Sequence, residues 1–239
     1  MTALAIRHLA PFTESDIRKL AAFQTSHGVR LLLQPEGPDS LRCPDGSLAP
    51  LLHYRFPDRD IEIAFAVNEF IQINGETNRR LVARAIELLA PSGSDSVLDL
   101  FCGVGNFSLP IARDAGRVLG IEGDARLIAR AQENAISNNC TNVSFRQANL
   151  FEPGFHDFAG YNKWLIDPPR EGAVDIIRGL DAESRPERIV YVSCHPATLA
   201  RDAQILVHLH GYRLAAAGVA DMFPHTSHIE TITLFERAS

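Results

Sequence analysis

The chain has no run of about 18 apolar residues, so no part of it is built to cross a bilayer as a helix. Its four cysteines, Cys43, Cys102, Cys140 and Cys194, form no Cys-x-x-Cys pair, which argues against a zinc or iron–sulfur site made from them. Basic residues are in the minority: 23 Lys and Arg face 29 Asp and Glu, for a formal charge of −6. Because phosphate contacts dominate affinity for nucleic acid, that balance leaves three options. The substrate is small, the basic surface is local, or it lies on a part of the protein outside this chain. Met1 to Pro11 is apolar in flavour but carries neither a basic leader nor a small-residue cleavage site, so the chain reads as cytoplasmic rather than exported. In that compartment cysteines stay reduced, and most of these are expected to be small buried apolar groups.

What is present is enough apolar material, 46% of 239 residues, for one sizeable α/β domain and a smaller appendage. The rest of the chain is organised around Val97 to Asn106, Val-Leu-Asp-Leu-Phe-Cys-Gly-Val-Gly-Asn. An apolar run of strand type ends on an acid, passes through Gly103 and Gly105, and enters a segment, Phe107 to Ala112, that can turn helical. That order predicts a first strand, a tight turn and a helix whose free N–H groups face a ligand. A second apolar run, Val118 to Ile121, ends on Glu122, where a carboxylate can take both hydroxyls of a ribose. Dinucleotide enzymes want a third glycine; here Ser108 takes that place and Asp99 stands before the turn. An acid there repels a pyrophosphate but suits the cationic amino-acid part of S-adenosylmethionine. The plain alternative is that the two glycines only make a tight turn.

Residues 1 to 66 read differently. Thr13 to His27 has helical signals, with Thr13 or Ser15 as cap and Gly28 as stop, and Val29 to Gln34, Leu48 to Phe56 and Asp60 to Val67 look like short strands broken by Pro and Gly. Phe70 to Asn74 bridges to a helix starting at Asn74 or Thr77 and running through Leu89; if the bridge is extended, Gln72 lies on the face opposite Ile71 and Ile73. Beyond Ser94, strands at Val143 to Ala148, Tyr161 to Ile166 and Arg188 to Val192 alternate with helices at Ala125 to Asn138, Ala173 to Leu180 and Thr198 to His210. Tyr212 to Val219 and Glu230 to Phe235 finish the chain as two strands. Alternation of this kind implies a parallel sheet, with a last antiparallel strand closing one edge. Ligands of open α/β sheets lie beyond the carboxyl ends of the strands, and Asp99, Glu122, Asn149, Asp167 and Cys194 all fall there.

Two of those ends carry chemistry. In Asp167-Pro168-Pro169-Arg170 the prolines fix the backbone and remove donors, so the acid is held rigidly. Similar Asp-Pro-Pro segments serve methyltransferases acting on exocyclic amino groups of adenine, usually with an aromatic residue next, where this chain has Arg170; a structural proline turn is the plain alternative. Cys194 follows an apolar strand and is pinned by Pro196. A thiolate adds to an electron-poor double bond, provided its neighbours lower its pKa. Such addition at carbon 6 of a pyrimidine makes carbon 5 nucleophilic enough to take a methyl group, after which a base must remove the carbon 5 proton. Glu230 is the candidate base. Taken singly, Cys194 could be a buried thiol and Glu230 a solvated strand-end acid. His225 and His228 lack a third ligand for a metal, and hydrogen-bonding or phosphate-contacting roles suit them better.

Together, Phe-Ile-Gln-Ile-Asn at 70–74, Leu-Asp-Leu-Phe-Cys-Gly-Val-Gly-Asn at 98–106, Asp-Pro-Pro-Arg at 167–170, Val-Ser-Cys-His-Pro-Ala-Thr-Leu-Ala-Arg-Asp at 192–202 and Asp-Met-Phe-Pro-His-Thr-Ser-His-Ile-Glu-Thr at 221–231 resemble the RNA uracil-5-methyltransferase family. Within it the likeness is to bacterial enzymes that methylate uracil in 23S ribosomal RNA, and it covers most of 66–236. The resemblance implies an α/β, Rossmann-like methyltransferase sheet over 94–239, a linker strand and helix over 67–93, and in 1–66 the remnant of a central α+β domain. It implies Cys194 as nucleophile and Glu230 as base. It places Gln72, Phe101, Asn106, Glu122, Asn149 and Asp167 around S-adenosylmethionine, with ribosomal RNA as partner; the lack of a long apolar run leaves no membrane partner to expect, and a monomer is expected. His195 stands where the family usually has asparagine. The family's N-terminal oligonucleotide-binding barrel and four-cysteine iron–sulfur site are not visible here, so no iron–sulfur cluster is expected in this chain. Amino-group methylation through Asp167-Pro168-Pro169 and a non-catalytic RNA-binding module are the competing expectations.

Overall fold

The computed structural model describes residues 2–152, 158–181 and 184–237. They fall into two compact units, Met1–His53 with Ala64–Phe70, and Tyr54–Ile63 with Ile71–Ser239.

In the smaller unit β1 (Thr2–Arg7) pairs in parallel with β2 (Val29–Gln34), and α1 (Glu14–His27) makes the crossover between them. Thr13 caps α1: its hydroxyl accepts from the Asp16 amide while the Asp16 carboxylate accepts from the Thr13 amide, two orphan donors satisfied reciprocally. Gly28 ends the helix in the left-handed region at φ 62°. Leu32, Leu41 and Cys43 form this unit's small core. The sequence offered no strand at Thr2–Arg7, because its exposed and half-buried residues do not alternate with period two; pairing of backbone groups with β2 makes it a strand.

A hairpin follows, β3 (Leu52–Phe56) and β4 (Ile61–Phe65), each shorter than its apolar run suggests. Its tip belongs to the larger unit, where Phe56, Ile61 and Ile63 are buried. Asn138 secures it, accepting from the Glu62 amide at 2.8 Å and donating to the Glu62 carbonyl at 2.7 Å. Ile71 to Asn74 forms no strand; Asn74 instead caps α2 (Gly75–Leu89), its side chain accepting from the Thr77 amide at 3.1 Å.

The larger unit then alternates β5 (Ser96–Leu100), α3 (Ser108–Ala112), β6 (Arg117–Glu122), α4 (Ala125–Ser137), β7 (Val143–Gln147), β8 (Lys163–Ile166), α5 (Val174–Arg178), β9 (Arg188–Ser193), α6 (Pro196–His208), β10 (Tyr212–Ala220) and β11 (Glu230–Arg237). The strands make one seven-stranded sheet in the order β10-β11-β9-β8-β5-β6-β7. Strand β11 is antiparallel to both its neighbours. It is not the edge strand expected from the sequence: the crossover from β9 through α6 to β10 skips one position, and β11 fills that slot. Inner strands carry near-continuous apolar runs because both faces are covered. Helices α2, α3 and α4 contribute to one buried layer with Val97, Leu165 and Val190, while α5 and α6 pack over Leu98, Trp164 and Tyr191 on the other. Among the described residues no helix is long and apolar enough to cross a membrane.

The end of the sheet away from the strands' carboxyl termini is pinned by one buried ion pair. The Lys163 ammonium donates to Asp95 Oδ2 at 2.8 Å and to the Ala90 carbonyl, with side chains only 11% and 9% exposed. Burial pushes the Asp95 carboxyl up, but hydrogen bonds from Lys163, Asn162 and Ser92 outweigh it and hold the group well below the usual carboxylate range. The pair's contribution is therefore present at neutral pH and lost only on acidification below that range. Lys163→Met leaves an unpaired buried carboxylate, and a loss of roughly 3–5 kcal/mol is expected as a lower urea midpoint at pH 7. A loss below about 1 kcal/mol would show that the carboxylate finds other solvation.

Candidate active site

All the strand-end residues singled out in the sequence sit at one edge of the larger unit's sheet. Asp99 is the fourth residue of β5, Glu122 the last of β6, and Asp167 follows β8. Cys194 follows β9, and Glu230 opens β11, which starts at that same edge because it runs antiparallel.

The glycine turn after β5 is built by specific conformations. Phe101, a residue with a Cβ, takes the left-handed φ of 65°, a strained state of the kind that collects at functional sites and costs on the order of 1–3 kcal/mol. The Phe101 and Cys102 amides both donate to the Ile121 carbonyl, at 2.9 and 3.1 Å, and tie the turn to the end of β6. The Phe101 ring lies 5.6 Å from that of Phe151. Gly105 has φ 93°, and a Cβ there would meet Leu109 Cγ at 3.2 Å, so only glycine passes without strain. Helix α3 is only five residues long, and the Ser108 hydroxyl at its start donates to Asp99 Oδ2. The serine in the third-glycine position thus anchors the strand-end acid, a role its sequence position signals only once that acid is known to point at it.

Asp99 is fully buried, and its Oδ1 has no hydrogen-bond partner among the described residues. Burial pushes its carboxyl up to about 7 against the Ser108 hydrogen bond, and the Asp167 and Glu122 charges push the same way. Desolvation likewise lifts Asp167 to about 7, although Gln72 Nε2 donates to its Oδ2 at 3.4 Å. Gln72 therefore reaches the site without the extended backbone expected of its segment. Glu122 is held by backbone: its Oε1 accepts from Gly123 at 2.7 Å and Asp124 at 3.1 Å, and its Oε2 from Gly103 at 3.2 Å. A buried acid cluster with one unsatisfied oxygen has the chemistry that suits a cationic ligand.

Two of the expected ligand residues make hydrogen bonds within the chain. Asn106 Oδ1 accepts from the Tyr54 hydroxyl at 2.9 Å and from Asn78 Nδ2 at 2.8 Å, and Asn106 Nδ2 donates to Asn78 Oδ1 at 3.1 Å. It ties the glycine turn to α2. Asn149 is exposed, accepting from the Phe151 amide at 3.1 Å in a local turn. Tyr54 and Asn78 escaped sequence reasoning because their partner lies 52 and 28 residues away.

The second half of the site is the pair Cys194 and Glu230. Strand register joins Ser193 to Thr231, so the next step sets Cys194 opposite Glu230. Cys194 is half-buried, whereas the other three cysteines are buried. Glu230 is 3% exposed, and burial, helped by the Asp167 charge, lifts its carboxyl to about 8. The sequence role asked for a thiol with a lowered pKa; in this chain by itself it is raised. Burial is the main cause, the charges of Glu230 and Asp167 add to it, and Arg170 opposes them. A positive ligand among these carboxylates would reverse the balance. Arg170 Nη2 lies 3.5 Å from His228 Nδ1. His195 assumes the capping role for which asparagine is favoured: its Nδ1 accepts from the Thr198 amide at 3.3 Å at the start of α6.

The chain is similar to known proteins in sequence and in fold. The chain is 48% identical over 237 residues to the 23S rRNA (uracil(1939)-C(5))-methyltransferase RlmD of Thiobacillus denitrificans, covering 98% of this chain and 55% of that one. It is 49% identical over 239 residues to RlmD of Acidithiobacillus ferrooxidans, with 98% and 54% covered. The chain thus spans about half the length of the curated relatives it matches. Among solved structures, the Pyrococcus abyssi tRNA (uracil-54, C5)-methyltransferase in complex with S-adenosyl-L-homocysteine superimposes with a TM-score of 0.70 at 28% identity, over 87% of this chain and 50% of that one. The family model described as tRNA (uracil-5-)-methyltransferase matches residues 52–153 and 154–238. A match that runs through every strand and helix of the seven-stranded sheet makes this chain a member of the tRNA (uracil-5-)-methyltransferase family.

Proposed function

We propose that this chain transfers a methyl group from S-adenosylmethionine to carbon 5 of a uracil in 23S ribosomal RNA, through a covalent bond between Cys194 and carbon 6. The observation that carries the reading is the register that sets Cys194 beside Glu230 at the strand ends where Asp99, Glu122 and Asp167 cluster. The RlmD relatives, alike along almost the whole of this chain, support 23S ribosomal RNA as the substrate.

The residues present fit the methyl donor. Asp99, with its unsatisfied oxygen, suits the cationic amino-acid end; Glu122, oriented by three backbone amides, suits the ribose hydroxyls; Phe101, Gln72 and Asp167 complete the lining. Asn106 and Asn149 also belong to the lining in this reading, Asn106 held by Tyr54 and Asn78 and Asn149 by the Phe151 amide. When bound, the donor supplies a methyl group on a positively charged sulfur. Cys194 adds to carbon 6 of a base flipped out of its stack, and Glu230 later takes the carbon 5 proton so that the sulfur leaves. Amide-poor Asp167-Pro168-Pro169 holds its acid between the two halves.

The test is incubation with methyl-labelled donor and a 23S rRNA fragment, followed by nucleoside analysis. Label in 5-methyluridine supports the reading; label in a methylated adenine or guanine amino group would replace it with amino-group transfer through Asp167-Pro168-Pro169.

The raised carboxyls also set a pH dependence. At pH 6 Asp99 and Asp167 are largely protonated, and a cationic ligand favours their ionised forms, so binding must release protons. S-adenosylhomocysteine, which keeps the ammonium group, is expected to bind about tenfold more weakly at pH 6 than at pH 8 in calorimetry. Asp99→Asn should weaken binding at pH 8 by about ten- to a hundredfold and flatten that dependence. Affinity that is the same at both pH values in the unsubstituted chain would remove the ammonium from Asp99.

A further inference from the structure

Asp202, on α6, is fully buried and has no part in the reaction above. Its Oδ2 accepts from the Ala173 amide at 2.8 Å and from the Tyr191 hydroxyl at 2.7 Å. Its Oδ1 accepts from Arg201 Nε at 2.8 Å, while Arg201 Nη2 donates to the Glu171 carbonyl at 2.8 Å. Two adjacent residues of one helix therefore grip two backbone groups, at 171 and 173, of the turn that follows Asp167. Between them Gly172 is pressed against the same side chains. Its φ is 77°, and a Cβ there would stand 2.6 Å from Asp202 Oδ2 and 2.7 Å from Arg201 Nη2. The Gly172 amide closes the turn by donating to the Pro169 carbonyl at 2.9 Å.

A buried carboxylate is costly unless its hydrogen bonds repay it. A sheet–helix core could have been closed more cheaply with an apolar side chain at 202, so the charge points to a task at the turn. The turn's other end carries Asp167 and Arg170, the acid and the cation whose charges reach Cys194. We propose that Asp202 and Arg201 are positioning residues that clamp the turn from Pro168 to Ala173 onto α6, and so fix where Asp167 and Arg170 stand relative to Cys194. The inference deepens the proposed function by adding a part of the scaffold that tunes the nucleophile, and it rests on that reading for the use made of the thiol.

Prolines at 168 and 169 stiffen the turn's first half but supply no amide to anchor it. The clamp supplies the anchor at the other half. The charged groups facing Cys194 are Glu230 from β11 and Asp167 and Arg170 from the turn; only the last two move if the clamp opens.

The experiment reads the thiol itself. Cys194 is the half-buried cysteine and the other three are buried, so its alkylation by iodoacetamide, followed by peptide mass spectrometry, can be measured against pH in the folded chain without RNA or methyl donor. Asp202→Asn and Arg201→Gln are each expected to change the alkylation rate at pH 8 by about tenfold and to displace its pH midpoint. In a combination with Arg170→Gln the effect of opening the clamp should shrink, because the group it positions is gone. Tyr191→Phe cuts into the same buried cluster but keeps the Ala173 bond; it should lower the urea midpoint and leave the alkylation profile in place. Amide hydrogen exchange at Ala173 should quicken in Asp202→Asn. If Asp202→Asn and Arg201→Gln stay folded and alkylate like the unsubstituted chain, the clamp is overturned. If they shift the profile no more than Tyr191→Phe does at equal loss of stability, it is overturned too. The readout does not involve uracil, so a failure to form 5-methyluridine would count against the proposed function and leave this result standing.

Discussion

If the proposed mechanism holds, a Cys194→Ala variant is expected to give no covalent protein adduct with RNA carrying 5-fluorouracil, and methyl transfer is expected to fall by at least about a thousandfold. Carbon 5 of uracil is too weak a nucleophile to take the methyl group unaided, so deleting the sulfur removes the step that activates it. On that reading the remaining site still binds donor and base, which is why a residue of activity above background is expected to persist while the chemistry collapses. Fluorine at carbon 5 cannot leave as a proton does, so in the unsubstituted chain the sulfur–carbon bond formed before that point stays closed. The adduct is seen as a band that migrates slowly on a denaturing gel and carries the labelled methyl. An alanine variant that traps RNA as well as the parent does would dismiss Cys194 as the nucleophile.

Glu230→Gln acts later and leaves a different trace. The amide is close in shape but cannot accept the carbon 5 proton, so the bond to Cys194 forms and elimination stalls. Turnover should drop by about a hundred- to ten-thousandfold, the usual range for loss of a positioned base. At the same time a methylated adduct should build up on ordinary uracil, where the parent shows almost none. The carboxyl's environment makes the group suited to this work: burial lifts it to about 8, close to neutral pH, where a base both accepts and returns a proton readily. If Glu230→Gln turns over normally, or loses activity with no adduct, the proton goes to another acceptor. Asp167, the charge nearest in influence on Glu230, is then next to test.

The two variants separate cleanly because their defects lie on opposite sides of one intermediate. Both depend on a contact that neither segment could announce. Cys194 follows strand β9, and Glu230 starts the chain's last strand after a histidine-rich turn. Only the slot left between β9 and β10, filled by β11, brings them opposite each other.

Much of the architecture could be read in advance because its cause is local. An inner strand buried on both faces needs a continuous apolar run, and the place where that run meets an acid, as at Asp99, Glu122 and Asp167, marks where burial ends and a ligand edge begins. Helix limits were legible where a cap was: Thr13 and Gly28 bracket α1, and Asn74 starts α2. Elements without a local cause were not. Strand β1 exists through pairing with β2, and the run from Ile71 to Asn74, apolar enough for a strand, finds no ladder to join. The hydrogen bonds of Asn106 to Asn78 and Tyr54, and of Asn149 to the Phe151 amide, could be read only from the structure, since the resemblance that singled out these two residues does not carry their partners.

The amino-acid order by itself determined the parallel part of the α/β sheet, the edge at which its strands end, and that Asp99, Glu122, Asp167 and Cys194 stand there, because periodicity, glycine turns and strand-end acids act over a few residues. Tertiary structure alone decided the state of those groups. Desolvation raises Asp99, Asp167, Glu230 and the Cys194 thiol together, with neighbouring charges adding to it at Asp99, Glu230 and Cys194, and the grip of Asp202 on a turn 29 residues away sets what stands beside them. Both are properties of atoms gathered from distant parts of the chain, and an electric field has no period to be read along a sequence.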